Sequence, residues 1–298
     1  MTMDTRVLVI GYGEMGHAME FLLTDHHQMQ FWDIRALENH EPVELETAAA
    51  VADVVIFCVP VSPLGELAER VLPHLSTDSI SLSVAKGLDE AGRPAAAIFD
   101  DVYAESHHYG VLYGPMIAEE IVAGRPAFAQ VGCMPPNIYE RFDTLFANTG
   151  LTLEYSADIR GISWASVLKN VYAILFGAAD ELALGDNVRG YLAVASIREM
   201  AQIVMCKGGE AATAQQLAGL GDLITTATSA GSHHHELGML LARGELDRIR
   251  GEGIHTLAMV DKFNLLGDSE YPLFGLVQGL VAHPFESGER IRAYLDSL

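Results

Sequence analysis

The chain has 298 residues, half of them hydrophobic, with a formal net charge of −22 and a pI near 4.7. That length allows two domains with sizeable cores, and that apolar content excludes a disordered chain. The acidic balance argues against DNA, RNA or an anionic membrane surface as a partner, since each selects a basic face.

Arg6-Val7-Leu8-Val9-Ile10 reads as a first strand. Gly11-Tyr12-Gly13-Glu14-Met15-Gly16 follows at once, then the helix-like Ala18-Met19-Glu20-Phe21-Leu22-Leu23. A second strand, Met29-Gln30-Phe31-Trp32, ends at Asp33. Strand, glycine turn, helix, strand and acid, in that order, form a dinucleotide-binding fingerprint. Gly11 permits a tight turn, Gly13 lets the backbone approach a pyrophosphate, and Gly16 lets helix and strand pack closely. The helix N-terminus offers N–H groups and a partial positive charge to phosphates. Tyr12, Glu14 and Met15 complete the expected cofactor loop. Asp33 is expected to accept hydrogen bonds from the adenosine ribose and to repel a 2′-phosphate. Arg35, two residues on, is suited to pairing with that phosphate. NAD is therefore the expected cofactor, with NADP left open.

Further strands are expected at 53–59, 79–84, 109–113, 126–131 and 151–155, with helices between most of them, for example 63–73 and 136–147. This alternation predicts an α/β Rossmann-type doubly wound sheet. It stops near residue 155. Beyond it, 159–184, 188–207, 232–243, 252–265 and 286–296 show helical spacing. The expected organisation is an NAD(P)-binding domain over 1–155 and an all-helical substrate and catalytic domain over 156–298. No uninterrupted apolar run reaches the roughly 18 residues that a bilayer span needs. The polar residues 1–5 lead directly into the first strand, so no signal peptide is expected. Cys58, Cys133 and Cys206 are scattered and form no CxxC motif, as in a reducing cytoplasm. The paired histidines (His26-His27, His107-His108 and His233-His234-His235) lack the spacing of a metal site and read as solvated loop residues. The expected partner is a small-molecule substrate, and the expected assembly a homodimer.

The chain carries only four lysines (Lys86, Lys169, Lys207, Lys262) against fourteen arginines. It nevertheless places Lys169 beside Asn170 among Val167, Leu168, Val171, Ile174 and Leu175. An ammonium in apolar surroundings is a compact proton carrier whose acidity responds to burial, which a guanidinium is not. The long helix expected there would bring Lys169 close to the cleft between the domains. Two turns follow it, Gly185-Asp186-Asn187 and Gly219-Leu220-Gly221-Asp222-Leu223. A snorkelling lysine and a helix-capping Asp222 are the plain structural readings of the same residues.

Taken in order, these motifs resemble the NAD(P)-dependent glycerol-3-phosphate dehydrogenases over nearly the whole chain. The glycine loop is joined by Ser83-Val84-Ala85-Lys86-Gly87 and by Gly114-Pro115-Met116-Ile117-Ala118-Glu119-Glu120. Leu168-Lys169-Asn170-Val171, Gly185-Asp186-Asn187, Leu217–Leu223, and Glu252-Gly253 with Thr256 complete the set. The resemblance implies that Lys169 is the general acid that protonates the ketone oxygen. It implies that Lys86 adds positive charge near the developing alkoxide and lies near the cofactor. It further implies that Asp222 orients Lys169 or the substrate hydroxyl, that Asn170 and Thr226 hydrogen-bond the substrate, and that Glu252 lies near the cofactor.

The chain departs from that pattern at the substrate phosphate. Ser232-His233-His234 stands where the family has Ser-Arg-Asn, Val194-Ala195-Ser196 where Thr-Arg-Gly is frequent, and Ser163 where a glutamate is common. His233 and His234 are therefore the expected phosphate partners. The reaction expected is reduction of dihydroxyacetone phosphate to glycerol 3-phosphate, or its reverse. Two alternatives stay open at this point. One is a related dehydrogenase for a different ketone or 2-hydroxy substrate. The other is a non-catalytic NAD(H)-sensing protein.

Overall fold

Strand β1 (Arg6–Ile10), helix α1 (Glu14–Leu23) and strand β2 (Gln28–Trp32) open the chain, with β2 parallel to β1. The structure is a computed structural model that describes residues 5–229, 231–245, 251–267 and 270–298. The polar lead-in at residues 1–4 lies outside the described residues. Helix α2 (Leu45–Val51), β3 (Val54–Phe57), α3 (Leu64–Val71), β4 (Ile80–Ser83) and α4 (Ala95–Tyr103) continue the alternation. Next come β5 (His108–Tyr113), α5 (Ala118–Val122), β6 (Ala127–Cys133), α6 (Pro136–Leu145) and β7 (Leu151–Ser156). The seven strands form one sheet in the order β2-β1-β3-β4-β5-β6-β7. Only the β5–β6 pair is antiparallel. This is the expected doubly wound sheet. β1 runs between β2 and β3, so Val7 to Ile10 are buried on both faces and the strand reads as a continuous apolar run.

After Ile159 the chain is helical, with α7 (Ile159–Glu181), α8 (Asp186–Cys206) and α9 (Asp222–Thr228). Helices α10 (His233–Arg243), α11 (Glu252–Lys262), α12 (Pro272–Ala282) and α13 (Ser287–Asp296) follow. The chain divides into two compact units. The sheet unit comprises the chain up to Lys86 and Arg93–Ile159. The helical unit comprises Gly87–Gly92 and Arg160–Leu298. The short excursion Gly87–Gly92 contributes Leu88 to the helical core.

α7 is the core of that unit: every residue from Gly161 to Ala179 is buried. At 23 residues it is long and apolar enough to cross a membrane, which corrects the expectation that no segment qualified. Ser163, Ser166, Lys169 and Asn170 break its apolar run in the sequence. Its apolar window is wholly covered by protein, so it serves as a core helix. α10 packs against it with almost no spacing. A Cβ at Gly238 would collide with the carbonyl oxygen of Ile174, and one at Gly177 with that of His235. Those two glycines hold the histidine-bearing helix against the helix that carries Lys169.

Candidate active site

In the sheet unit, the segments after β1, β2, β3 and β4 all lie at the carboxyl edge of parallel strands, where open α/β sheets bind ligands. Gly11 has φ +97, which an L side chain rarely adopts. A Cβ there would also stand 2.6 Å from the carbonyl oxygen of Cys58, just past β3. At Gly16 a Cβ would collide with the carbonyl oxygen of Gly11, whereas at Gly13 it would meet nothing within 4 Å. The loop is thus closed on its inner side and open at Gly13. No side chain caps α1 at its N-terminus, which leaves its first N–H groups to an incoming anion. Glu14 is exposed in that first turn, and Met15 packs against the sheet-unit core. The residues present therefore fit a dinucleotide.

Asp33 follows β2 and accepts from the backbone N–H of Tyr12 at 2.8 Å and of Arg35 at 2.9 Å. The Arg35 guanidinium also reaches it, at 3.3 Å. Partial burial works to raise the Asp33 pKa, but these donors together hold it below the ordinary carboxylate value. It is an anion at neutral pH. Lys86, half-buried, lies three residues past the end of β4.

In the helical unit, α7 and α9 bring three expected residues together. Lys169 Nζ donates to Thr226 Oγ1 at 2.8 Å and lies 3.1 Å from Asp222 Oδ1. Asp222 and Thr226 are one turn apart on α9, so both face the lysine. Asp222 is the first residue of α9, and its carboxylate reaches Lys169. The Lys169 and Asp222 side chains are 7% and 4% exposed. A snorkelling lysine would carry its head into water, and this one does not. Burial disfavours the ammonium and the adjacent carboxylate favours it, so the pair is stable only as a pair.

Next to Lys169, Asn170 Nδ2 donates to Glu252 Oε2 at 3.2 Å. Asn170 Oδ1 and Thr256 Oγ1 are buried without a hydrogen-bond partner. Orphaned buried acceptors are uncommon and point to a polar ligand. Gly253 lets α11 pack closely here: a Cβ there would lie 3.2 Å from the Asn170 carbonyl oxygen and 3.3 Å from His234 Cδ2. His234 and Asn170 thus both border Gly253, while His233, the first residue of α10, is exposed.

The sequence reading missed the tie that holds this end of α10. His235 Nε2 lies 2.7 Å from Asp180 Oδ2, and Arg189 Nη2 lies 2.5 Å from Asp180 Oδ1. Asp180 at the end of α7 thereby links the Gly185-Asp186-Asn187 turn to the histidine helix. Residues this far apart in the chain give no local signal of their pairing.

Sequence models of the NAD-dependent glycerol-3-phosphate dehydrogenase N-terminus and C-terminus match residues 38–138 and 158–286. A glycerol-3-phosphate dehydrogenase [NAD(P)+] from Gloeobacter violaceus is 31% identical over 278 residues, covering 90% of this chain and 89% of its own. The chain belongs to this family. The dehydrogenase of the same name from Agrobacterium fabrum is 31% identical over 80% of each chain. The glycerol-3-phosphate dehydrogenase structure from Coxiella burnetii superposes with a TM-score of 0.87 at 21% identity, covering 98% of this chain and 99% of its own. The Plasmodium falciparum structure gives 0.82 at 14% identity, over 97% and 94%. At those identities the two structures speak for the fold. Family membership makes the protein an NAD(P)-dependent oxidoreductase acting on a CH–OH group, and the sensor alternative receives no support from these relatives.

Proposed function

We propose that the protein interconverts dihydroxyacetone phosphate and glycerol 3-phosphate, with Lys169 moving the proton. The nicotinamide coenzyme supplies the hydride that forms the new C–H bond at the carbonyl carbon. Lys169 gives a proton from Nζ to the carbonyl oxygen, which becomes the hydroxyl, and takes it back in the reverse direction. The buried Lys169–Asp222–Thr226 cluster supports this reading more than any other observation. An unaligned ammonium would sample many directions, whereas this one is held by a carboxylate and a hydroxyl. Lys86 supplies positive charge to the developing alkoxide. Asn170 Oδ1 accepts from a substrate hydroxyl, and Glu252 sets the Asn170 amide.

His233 and His234 bind the substrate phosphate in place of an arginine, helped by the N-terminus of α10. Asp33 favours NAD over NADP by facing the 2′ position with a fixed anion. We place the protein in the cytoplasm, in keeping with its three free cysteines, and expect a homodimer, which sedimentation velocity will test. NADH oxidation driven by dihydroxyacetone phosphate, but not by unphosphorylated dihydroxyacetone, is the test of the substrate. Turnover of the unphosphorylated ketone alone would move the protein to the related-dehydrogenase alternative.

A further inference from the structure

Tyr12 is pinned at both ends within the sheet unit. Its backbone N–H donates to Asp33 Oδ2 at 2.8 Å, and its hydroxyl donates to Glu20 Oε2 on α1. His40 Nε2 lies 2.7 Å from the Tyr12 hydroxyl oxygen and 3.3 Å from Glu20 Oε1. The rings pack around this point, edge-on or tilted: Tyr12 to His40 at 4.8 Å, Phe31 to His40 at 4.5 Å and Tyr12 to Phe31 at 5.2 Å. His17 on α1 completes the surroundings, with Nδ1 3.9 Å from Glu20 Oε2. The Arg35 guanidinium lies against Asp33, with Nε 3.3 Å from Oδ1. Among the described residues no cluster of three or more His, Cys, Asp or Glu is placed to hold a metal ion, so the arrangement is not read as one.

Asp33 and His40 are the two ends of one loop segment, and both bond to the same tyrosine. Tyr12 itself stands in the glycine loop between Gly11 and Gly13. A shift of Tyr12 would therefore move the glycine loop, the Asp33 carboxylate and the 33–40 segment together. Of these, Asp33 meets the 2′ position of the adenosine ribose in the reading given above.

We infer that Tyr12, Glu20 and His40 are positioning residues for the cofactor: they clamp the Asp33–His40 segment to the glycine loop and set the preference for a coenzyme with a free 2′-hydroxyl. The inference rests on the assignment of Asp33 to the ribose. None of the three need touch the coenzyme. Glu20 supplies the acceptor for the tyrosine hydroxyl, and His40 ties the far end of the segment to the same oxygen. The bond from the Tyr12 hydroxyl to the Glu20 carboxylate is charge-assisted, so it holds position more firmly than a neutral one.

The test is fluorescence titration of the full-length protein with NADH and with NADPH, alongside steady-state kinetics. Tyr12→Phe keeps the ring contacts and removes only the hydroxyl, and His40→Gln is the second variant. Each is expected to weaken NADH binding about tenfold, as loss of a charge-assisted hydrogen bond does, with a smaller change for NADPH. The NADH-to-NADPH affinity ratio therefore falls. In His40→Gln the kcat at saturating NADH and the KM for the ketone stay at wild-type values. A ratio unchanged in both folded variants overturns the inference, whether both affinities hold or both fall together. Asp33→Ala is measured in parallel. If it shifts the ratio and Tyr12→Phe does not, the clamp is wrong and the Asp33 reading stands. If Asp33→Ala leaves the ratio unchanged, the reading of Asp33 fails and the inference falls with it.

Discussion

Lys169 Nζ and Asp222 Oδ1 lie 3.1 Å apart, and both side chains are almost wholly withdrawn from solvent. Removing one partner of such a pair leaves the other charge buried and alone. Asp222→Ala should therefore destabilise the helical unit by about 3–5 kcal/mol, read by denaturant unfolding. Asp222→Asn keeps the shape and loses the charge. It should lower kcat by more than about tenfold with little change in NADH affinity. A kcat near wild type in Asp222→Asn would remove the carboxylate from the chemistry.

Cofactor choice is the second expectation. Asp33 is held below the ordinary carboxylate pKa, with burial outweighed by the donors of Tyr12 and Arg35. It stays charged at every working pH and should oppose a 2′-phosphate. The wild type should show the higher kcat/KM with NADH, and Asp33→Ser should move the preference toward NADPH by releasing Arg35. A wild-type preference for NADPH would show that Arg35 governs the site.

The histidine loop makes a pH-dependent prediction. An arginine is charged at all working pH values, whereas an ordinary histidine loses its charge above about pH 6.5. The KM for the phosphorylated ketone should worsen between about pH 6 and about pH 9, after correction for the second ionisation of the substrate near pH 6. His233→Arg should flatten that profile and tighten binding. If His233→Ala leaves both KM and its profile unchanged, the exposed His233 is not the phosphate partner.

A second pH effect belongs to stability. His107, expected from the sequence as a solvated loop residue, is instead buried beside β5, its Nε2 3.0 Å from Ser81 Oγ, which in turn accepts from the Tyr103 hydroxyl at 3.0 Å. Burial, aided by His108 and Arg141, pushes its pKa down from 6.5 to about 4. The unfolded chain therefore binds the proton more readily. Stability is fully present above about pH 6.5 and is lost as pH falls toward about 4, by roughly 3 kcal/mol at most. Urea unfolding across that range should show a decline that His107→Leu makes shallower. Equal slopes in the two proteins would contradict the assignment.

Much of this was legible in the sequence because it is local. The glycine loop, the seven strands and the long core helix are each written in consecutive residues, and Lys169 stood out because lysine is scarce in this chain. What stayed hidden depends on partners distant in the chain. α12 was not anticipated, since Pro272, Gly275 and Gly279 obscure its period. Its start is fixed by Glu199, whose buried carboxylate accepts from the N–H groups of Leu273 at 2.9 Å and Phe274 at 2.7 Å and from the Tyr172 hydroxyl. The same is true of His235 with Asp180 and of His40 with Tyr12. Gly87–Gly92 joining the helical unit is a further case, because nothing in six residues between a strand and a helix announces where they will pack.

The most direct test of the account is NADH oxidation with dihydroxyacetone phosphate by the wild type and by Lys169→Ala, with NADH binding measured on both. The wild type should turn the ketone over. Lys169→Ala should lose about 10²–10⁴-fold in kcat while binding NADH within a few fold of the wild type. Near-normal turnover by folded Lys169→Ala, or no turnover of dihydroxyacetone phosphate by the wild type, would contradict the account.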